Sequence, residues 1–428
     1  MLRIVALVAA LVAASPAAAQ QAPPAAQHEA VRVFLDCNGF YCDEDFYRTE
    51  INWVGYVRDR QDADVHVLIT RQQTGSGGGE HTLEFIGLRR FQGVSQTLRF
   101  TSGPNQTEDE VRRGLAEIIK LGLVRYAAET PAGARLRVTI PGAAESAPKA
   151  AEGRDPWDHW TFRAGVRGYF NGESSYTSRD LNGSLSANRV TAGWKTRLSL
   201  NANSSRSEYE LTDTSTFVSS QESYSSSALA VRSLGAHWSA GAKASALRST
   251  YSNYDRLVRA GPAVEYNVFP YSESTRRQLT LQYAVSGISA AYDERTRFGK
   301  LDETRVEHSL TTSLDLKQPW GSIGVSAEAA HLLDDAARNR LVLFGNADVR
   351  LFKGLSLNFF ASGSRVRDQL NIRDRTGTPE EILTREIEQL TAFRYFASVG
   401  LSYTFGSIYN SVVNPRFGGS SGGVVFIN

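Results

Sequence analysis

From residue 157 onward, apolar and polar residues alternate with a period of two, segment after segment. Trp160, Phe162, Ala164 and Val166 alternate with Thr161, Arg163, Gly165 and Arg167. Trp194, Leu198, Leu200 and Ala202 alternate with Lys195, Arg197, Ser199 and Asn201, and Trp238, Ala240, Ala242 and Ala244 with Ser239, Gly241, Lys243 and Ser245. The beat recurs around Leu279, Leu310, Ile323, Leu343 and Leu355, more weakly near Leu181, Ala228 and Val264, and last from Phe396 to Phe405. A period of two places successive side chains on opposite faces, so each segment is predicted to be a strand with two unlike faces. About twelve such strands fall in roughly 250 residues. One face is apolar and rich in Ala; the other carries Ser, Asn, Arg and Lys. Trp and Tyr recur at strand ends (Trp160, Trp194, Trp238, Trp320, Tyr251, Tyr254, Tyr403).

Before residue 157 the pattern differs. Strands are predicted at 31–35, 64–70, 82–88, 94–100 and 136–140. Asp43-Glu44-Asp45 opens a predicted helix through Arg60, because acids suit a helix N-terminus. Phe46, Ile51, Val54 and Val57 form its apolar stripe. Thr107-Glu-Asp-Glu110 is a capping box that starts a second helix, 107–128, with Leu115, Ile118, Ile119 and Leu123 as its apolar face. The order β-α-β-β-β-α-β gives a small α+β domain over 31–141. Residues 142–156, rich in Ala, Gly, Pro and charge, read as a linker. In the alternating region, Thr378-Pro-Glu-Glu381 predicts a short helix in the last long connection.

Composition narrows the class. Met-Leu-Arg, an apolar run from Ile4 to Ala14 and Ala17-Ala18-Ala19 form a signal peptide over 1–19, followed by a disordered leader over 20–30. No later segment has the ~18 unbroken apolar residues of a membrane helix. The formal net charge is +2, and no compact Lys/Arg cluster argues for nucleic acid. Cys37 and Cys42, the two cysteines of the chain, are expected to form a local disulfide in an oxidising compartment. No metal site and no cofactor are expected, since zinc would need further ligands.

The strand 396–405 resembles the β-signal by which the outer-membrane assembly machinery recognises a last strand. Ser398, Gly400, Tyr403 and Phe405 fill its four defined places. With the alternation and the aromatic strand ends, the chain resembles outer-membrane β-barrel proteins of the porin-like kind. The fold expected is an all-β transmembrane antiparallel barrel of about twelve strands over 157–405, preceded by a small α+β periplasmic domain. That domain resembles, in topology, the N-terminal α/β module that precedes the propeller in the Tol system, which implies docking to a periplasmic protein partner. An even strand count would put both the domain and the end of the last strand in the periplasm. The turns at 233–236 and 319–321 would be periplasmic, and the connections near 213–216, 293–304 and 371–389 extracellular. The tail 406–428 would then lie in the periplasm, plug the lumen or add a strand to the domain. The expected partners are outer-membrane lipid, the assembly machinery and that periplasmic protein.

The polar faces supply the candidate site. Expected lumen bases are Arg163, Arg167, Lys195, Arg197 and Lys243 on early strands; expected acids are Glu265, Glu307, Asp315, Glu328 and Asp348 on later ones. Lys317 and Arg350 break the segregation. Opposed walls of opposite sign would orient polar solutes in a pore, or pair across a narrow barrel and close it. Two functions follow: a small channel, or a closed barrel anchoring an interaction module. A third reading is enzymatic. His237-Trp-Ser239, with Asn253, resembles the catalytic spacing of outer-membrane phospholipase A, although Trp238 turns the pair toward the lumen. His331 with Asp334-Asp335 is the nearest match to an outer-membrane protease, and reads more simply as a charged loop. His66 and His81 sit on strands without a third catalytic member. The glycine run 75–79 lacks the Gly-Lys-Ser/Thr of a phosphate loop and reads as a hairpin turn.

Overall fold

The computed structural model describes residues 30–38, 43–75, 77–135, 155–212, 215–409 and 411–414. The expected signal peptide, the leader up to residue 29, the linker up to residue 154, the predicted strand 136–140, Cys42 and the tail beyond 414 lie outside them.

The N-terminal domain is a five-stranded mixed sheet with helices on one face. Its elements are β1 (Arg32–Asn38), α1 (Glu44–Glu50), β2 (Gly55–Tyr56), β3 (Val65–Gln73), β4 (Gly79–Gly87), β5 (Ser95–Ser102) and α2 (Glu108–Ala127). The sheet order is β2-β1-β3-β4-β5; β1 runs parallel to both neighbours, and the rest is antiparallel. The first helix is much shorter than predicted. Gly55 would cost about 1 kcal/mol inside a helix, and here it pairs with Arg32 while Val54 and Tyr56 enter the core. The second helix matches its expected span, and the Thr107/Glu110 capping box is formed on both sides. The glycine run makes the β3–β4 turn: Gly77 has φ of 88°, and the Thr74 amide donates to the Gly78 carbonyl at 3.1 Å. Cys37 is disulfide-bonded.

The core beneath α2 joins Val33, Leu35, Val65, Val67, Leu83 and Phe85 to Leu115, Ile119 and Leu123. The opposite face of the sheet presents Phe34, Asp36, His66, Leu68 and Thr70, all buried. Among the described residues, no helix of the domain covers that face, and a strand buried on both sides needs a second layer.

Residues 160–403 supply that layer. They form a twelve-stranded, purely antiparallel sheet in sequential order. Its strands are β6 (Trp160–Glu173), β7 (Tyr176–Val190), β8 (Trp194–Thr212), β9 (Ser215–Ser233), β10 (Trp238–Ser249), β11 (Tyr254–Asn267), β12 (Arg277–Tyr292), β13 (Asp302–Gln318), β14 (Gly321–Leu332), β15 (Asn339–Phe352), β16 (Leu355–Val366) and β17 (Phe393–Tyr403). The edge strands are β6 and β17. The alternation expected from the sequence sets the two faces. Ser239, Thr280, Ala284, Ile288, Glu307 and Ala330 are buried on one face, while Trp238, Leu281, Tyr283, Val306, Leu310 and Val325 are exposed on the other. Near 213–216, where a long connection was expected, β8 runs to Thr212 and β9 starts at Ser215, and these two residues pair. The last connection, 367–392, is long and carries α3 (Pro379–Leu383), with Thr378 as N-cap and a complete capping box.

Phe85 tests the domain core. It is fully buried, lies where a side chain on Gly122 would collide with its ring, and its carbonyl accepts from the Tyr126 hydroxyl at 3.0 Å. Phe85→Ala is expected to destabilise the domain by about 3–5 kcal/mol. Thermal proteolysis of residues 30–135 should show this, with the heat-dependent gel mobility of the twelve-stranded sheet unchanged.

Candidate functional site

The N-terminal domain lies across one end of the large sheet, and the link is electrostatic. Strand β15 ends at the turn 352–355 and directs Arg350 into the domain. Its guanidinium donates two bonds to the Asp36 carboxylate, at 2.7 and 2.8 Å, and lies 5.0 Å from the centre of the Phe34 ring. A bidentate pair of this kind is both strong and directional. His66 Nε2 lies 2.9 Å from Asp36 Oδ2. Neighbouring turns add Lys353 to Asp62 at 2.7 Å, the Gly354 amide to Asp59 at 2.8 Å and Arg276 to Glu84 at 3.0 Å. On the far side of the rim, the Arg163 guanidinium lies against the Gly77 turn. The domain thus touches strands from β6 to β16 around one mouth.

The chain after β17 completes the attachment. Arg58 donates to the Phe405 and Ser407 carbonyls, Val57 forms an antiparallel bridge with Tyr409, and the Tyr56 amide donates to Ser411 Oγ at 2.8 Å. Phe405, Ser407, Tyr409 and Ser411 therefore lie along the domain beside β2, joined there by a single bridge. Most of the tail 406–428 lies outside the described residues.

Asp36 and His66 are tuned by this packing. Burial raises the Asp36 carboxyl, but hydrogen bonds from His66 and Arg350 outweigh it and hold the group below its ordinary range. Burial lowers His66 despite its bond to Asp36. Geometry agrees: Nδ1 of His66 is buried with no hydrogen-bond partner among the described residues, so a second ring proton would have no acceptor. The neutral ring donates from Nε2. Burial also lowers His81, to about 4.

The opposite mouth is crossed by the connection 367–392. Asn253, at the β10–β11 turn, donates to the Glu294 and Asn371 carbonyls at 2.9 Å each. Arg373 reaches Glu294 at 2.8 Å and the Thr250 carbonyl at 2.6 Å, and Gln221 donates to the Arg385 carbonyl at 2.8 Å. Leu370 packs against Leu257, Ile288, Tyr292 and Leu332 beneath it.

Between the two covers, the predicted lumen residues all fall on the inner face by register, but they divide into paired and unpaired sets. Arg340 gathers three carboxylates: Glu307 at 2.9 Å, Glu328 at 3.0 Å and Asp368 at 2.9 Å. Asp348 accepts from Asn358, and Arg350 has left the wall for Asp36. Glu265 accepts from Tyr271 at 2.7 Å and Gln282 at 2.9 Å, and Lys243 donates to Gln282. A cavity of about 590 Å³ opens beside this network, lined also by Lys195 and Ser239. Among the described residues, Arg167 bonds the Tyr169 hydroxyl and Arg197 bonds Asn188. Among the described residues, no carboxylate pairs with Arg163, Arg167, Lys195, Arg197 or Lys243, and Asp315 and Lys317 form no ion pair. Sequence reasoning missed Arg340, although it lies on the same period-two face as Asp348 and Arg350. Asp36, Lys353 and Arg276 were also missed, and His66 was read only as a strand histidine without a catalytic partner.

The enzymatic constellations do not assemble. His237 bonds the Asn267 carbonyl at 2.8 Å, Ser239 bonds Tyr271 at 2.8 Å, and Asn253 lies at the other end of β10. His331 is held by His308 and the Leu332 carbonyl, while Asp334 and Asp335 pair with Arg305 and Arg338. On the last strand, Ser398 and Gly400 face inward, and Tyr403 and Phe405 lie on the exposed apolar side.

No family model matches the chain, and no curated protein matches it. Sixteen solved chains match in structure. One, titled as the NanC porin in a rhombohedral crystal form, is 8% identical, with 57% of this chain and 100% of that chain covered and a TM-score of 0.28. Another, the translocator domain of the autotransporter NalP from Neisseria meningitidis, is 13% identical, with 57% of this chain and 87% of that chain covered and a TM-score of 0.22.

Acid should loosen the domain. His66 and His81 are held below the ordinary value of 6.5, so the unfolded or undocked form takes up protons that the packed form refuses. Stability then falls as pH drops below about 6.5, by at most about 1.4 kcal/mol per pH unit for each ring. Asp36, also depressed, adds a further loss as pH falls through and below the ordinary carboxylate range. Proteolytic protection of residues 30–135 should decline between pH 7 and pH 5. His66→Gln, which keeps a donor for Asp36, should reduce that slope by about half.

Proposed function

We propose that the protein is an outer-membrane β-barrel of the channel type, held shut at rest by its own N-terminal domain on the periplasmic mouth. The observation that carries this is the Arg350–Asp36–His66 cluster, which ties a barrel strand to a buried acid in the domain. In hydrocarbon, each unpaired backbone group costs several kcal/mol, so a twelve-stranded sheet with one apolar face is stable there only when closed. With an even number of strands, β6 and β17 run antiparallel and are suited to pair. The apolar exposed face then meets lipid, and the polar inner face encloses the lumen. The domain, the end of β17 and residues 405–409 share one side, and the expected signal peptide and β-signal support its being the periplasmic one. The connection 367–392 shields the extracellular mouth. Opening requires the domain to leave its seat, which exposes Phe34 and Leu68 and breaks a few localised ion pairs.

The rival is a permanently closed barrel that anchors the domain for a periplasmic partner. The Arg340 cluster favours it locally, because it fills the lumen beside β13 to β15. The unpaired bases of β6 to β10 favour a wet lumen on the other side.

Planar-bilayer recording separates the two. The full-length protein should be silent for most of the record, and Arg350→Ala with Lys353→Ala should show discrete conducting steps. Silence of that variant, and of a chain lacking residues 31–135, would leave the anchor as the function. Steady conductance of the unaltered protein would contradict closure by the domain.

A further inference from the structure

Resting on the channel reading, we infer that the lumen wall of β6 to β11 is a binding and selectivity site for small oxyanions, carboxylates or phosphates. The register lays out the site. Arg163, Ser186, Ser199, Ser227, Ser245 and Arg259 are successive partners along one row across six strands. The row is a line of four hydroxyls with a guanidinium at each end. Ser199 and Ser227 already bond one another at 2.7 Å, which fixes two of the hydroxyls. One row toward the periplasm, Asn188, Arg197, Leu229 and Lys243 are successive partners. Strands are about 4.8 Å apart, so Arg197 and Lys243 stand roughly 10 Å from each other, the span of a small dianion with its hydration partly replaced. Lys195 lies on the same face two residues below Arg197.

Charge makes this more than a polar wall. Among the described residues, none of Arg163, Lys195, Arg197, Lys243 and Arg259 forms an ion pair. Arg259 also keeps its Nε buried without a hydrogen-bond partner. Beyond β12, Arg340 gathers the three carboxylates Glu307, Glu328 and Asp368, so that acids outnumber bases in this cluster. Cations without an ion-pair partner beside hydroxyl donors replace the hydration of an oxyanion, and the acidic cluster beyond β12 disfavours its leaving β6 to β11. The aromatic face formed by Phe344, Phe360 and Phe396, with ring centroids 5.3 and 5.7 Å apart, narrows the polar path toward this wall.

The test uses the full chain opened by Arg350→Ala and Lys353→Ala. Under a potassium chloride gradient, its reversal potential should report preference for chloride. Succinate or inorganic phosphate should block the current, and choline should not. Adding Arg197→Gln, Lys243→Gln and Arg259→Gln should cut the chloride preference on the order of tenfold and remove the block. The charge-preserving set Arg197→Lys, Lys243→Arg and Arg259→Lys should keep the preference, which separates loss of charge from loss of fold. Preference for potassium, block by choline alone, or unchanged selectivity in the glutamine variant would overturn the site while leaving the channel intact. Absence of current in the opened chain would instead overturn the channel reading on which the site rests.

Discussion

The pair between Asp36 and Arg350 is the interaction on which the two halves of the molecule depend. Asp36 is almost fully buried, and a carboxylate removed from water costs several kcal/mol unless its partners are close and well aligned. Both of its oxygens are bonded by Arg350, and one also by His66. Without the barrel rim, that acid and the apolar face around it would need another cover. Without the domain, Arg350 would stay among the other charges of the wall. The strength of the seat thus comes as much from the penalty of separation as from the gain of contact.

Topology places that seat. Twelve antiparallel strands return the chain to the side from which it entered, so the end of β17 meets the domain that preceded β6. Tyr409 and Ser411 then bond the domain beside β2, across a sequence separation of 355 residues for the Tyr56–Ser411 pair. The same arithmetic sends the connection 367–392 to the other mouth, where its cross-links reach turns between β10 and β13. Between the covers, charge is unevenly paired: Arg340 gathers three acids, while among the described residues Arg163, Lys195, Arg197 and Lys243 form no ion pair. A lumen closed only by pairing would not have left those bases without an acid.

Much of the fold was legible because it depends on local pattern. Alternation identified the strands, and each capping box located a helix start, since Thr107 and Thr378 use neighbours three residues away. The long helix predicted through Arg60 shows the limit. Its acidic start was right, but Gly55 and the pairing with Arg32 drew the segment into the sheet. The candidate site was less legible. Inner-face positions followed from period two, and extending that count by a few residues would have found Arg340. Nothing local links Asp36 to Arg350, which are 314 residues apart. The pair exists only once the barrel has brought its rim to the domain. The same holds for Asn253, whose apparent kinship with His237 and Ser239 dissolves because β10 separates them.

The central claim is that the N-terminal domain is seated on its own barrel in the membrane. Crosslinking of Asp62→Cys with Lys353→Cys by a short bifunctional thiol reagent, in intact outer membranes, measures this most directly. The account predicts an efficient crosslink within one chain, lost when Arg350→Ala is added. Crosslinks only between chains, or none at neutral pH, would contradict it.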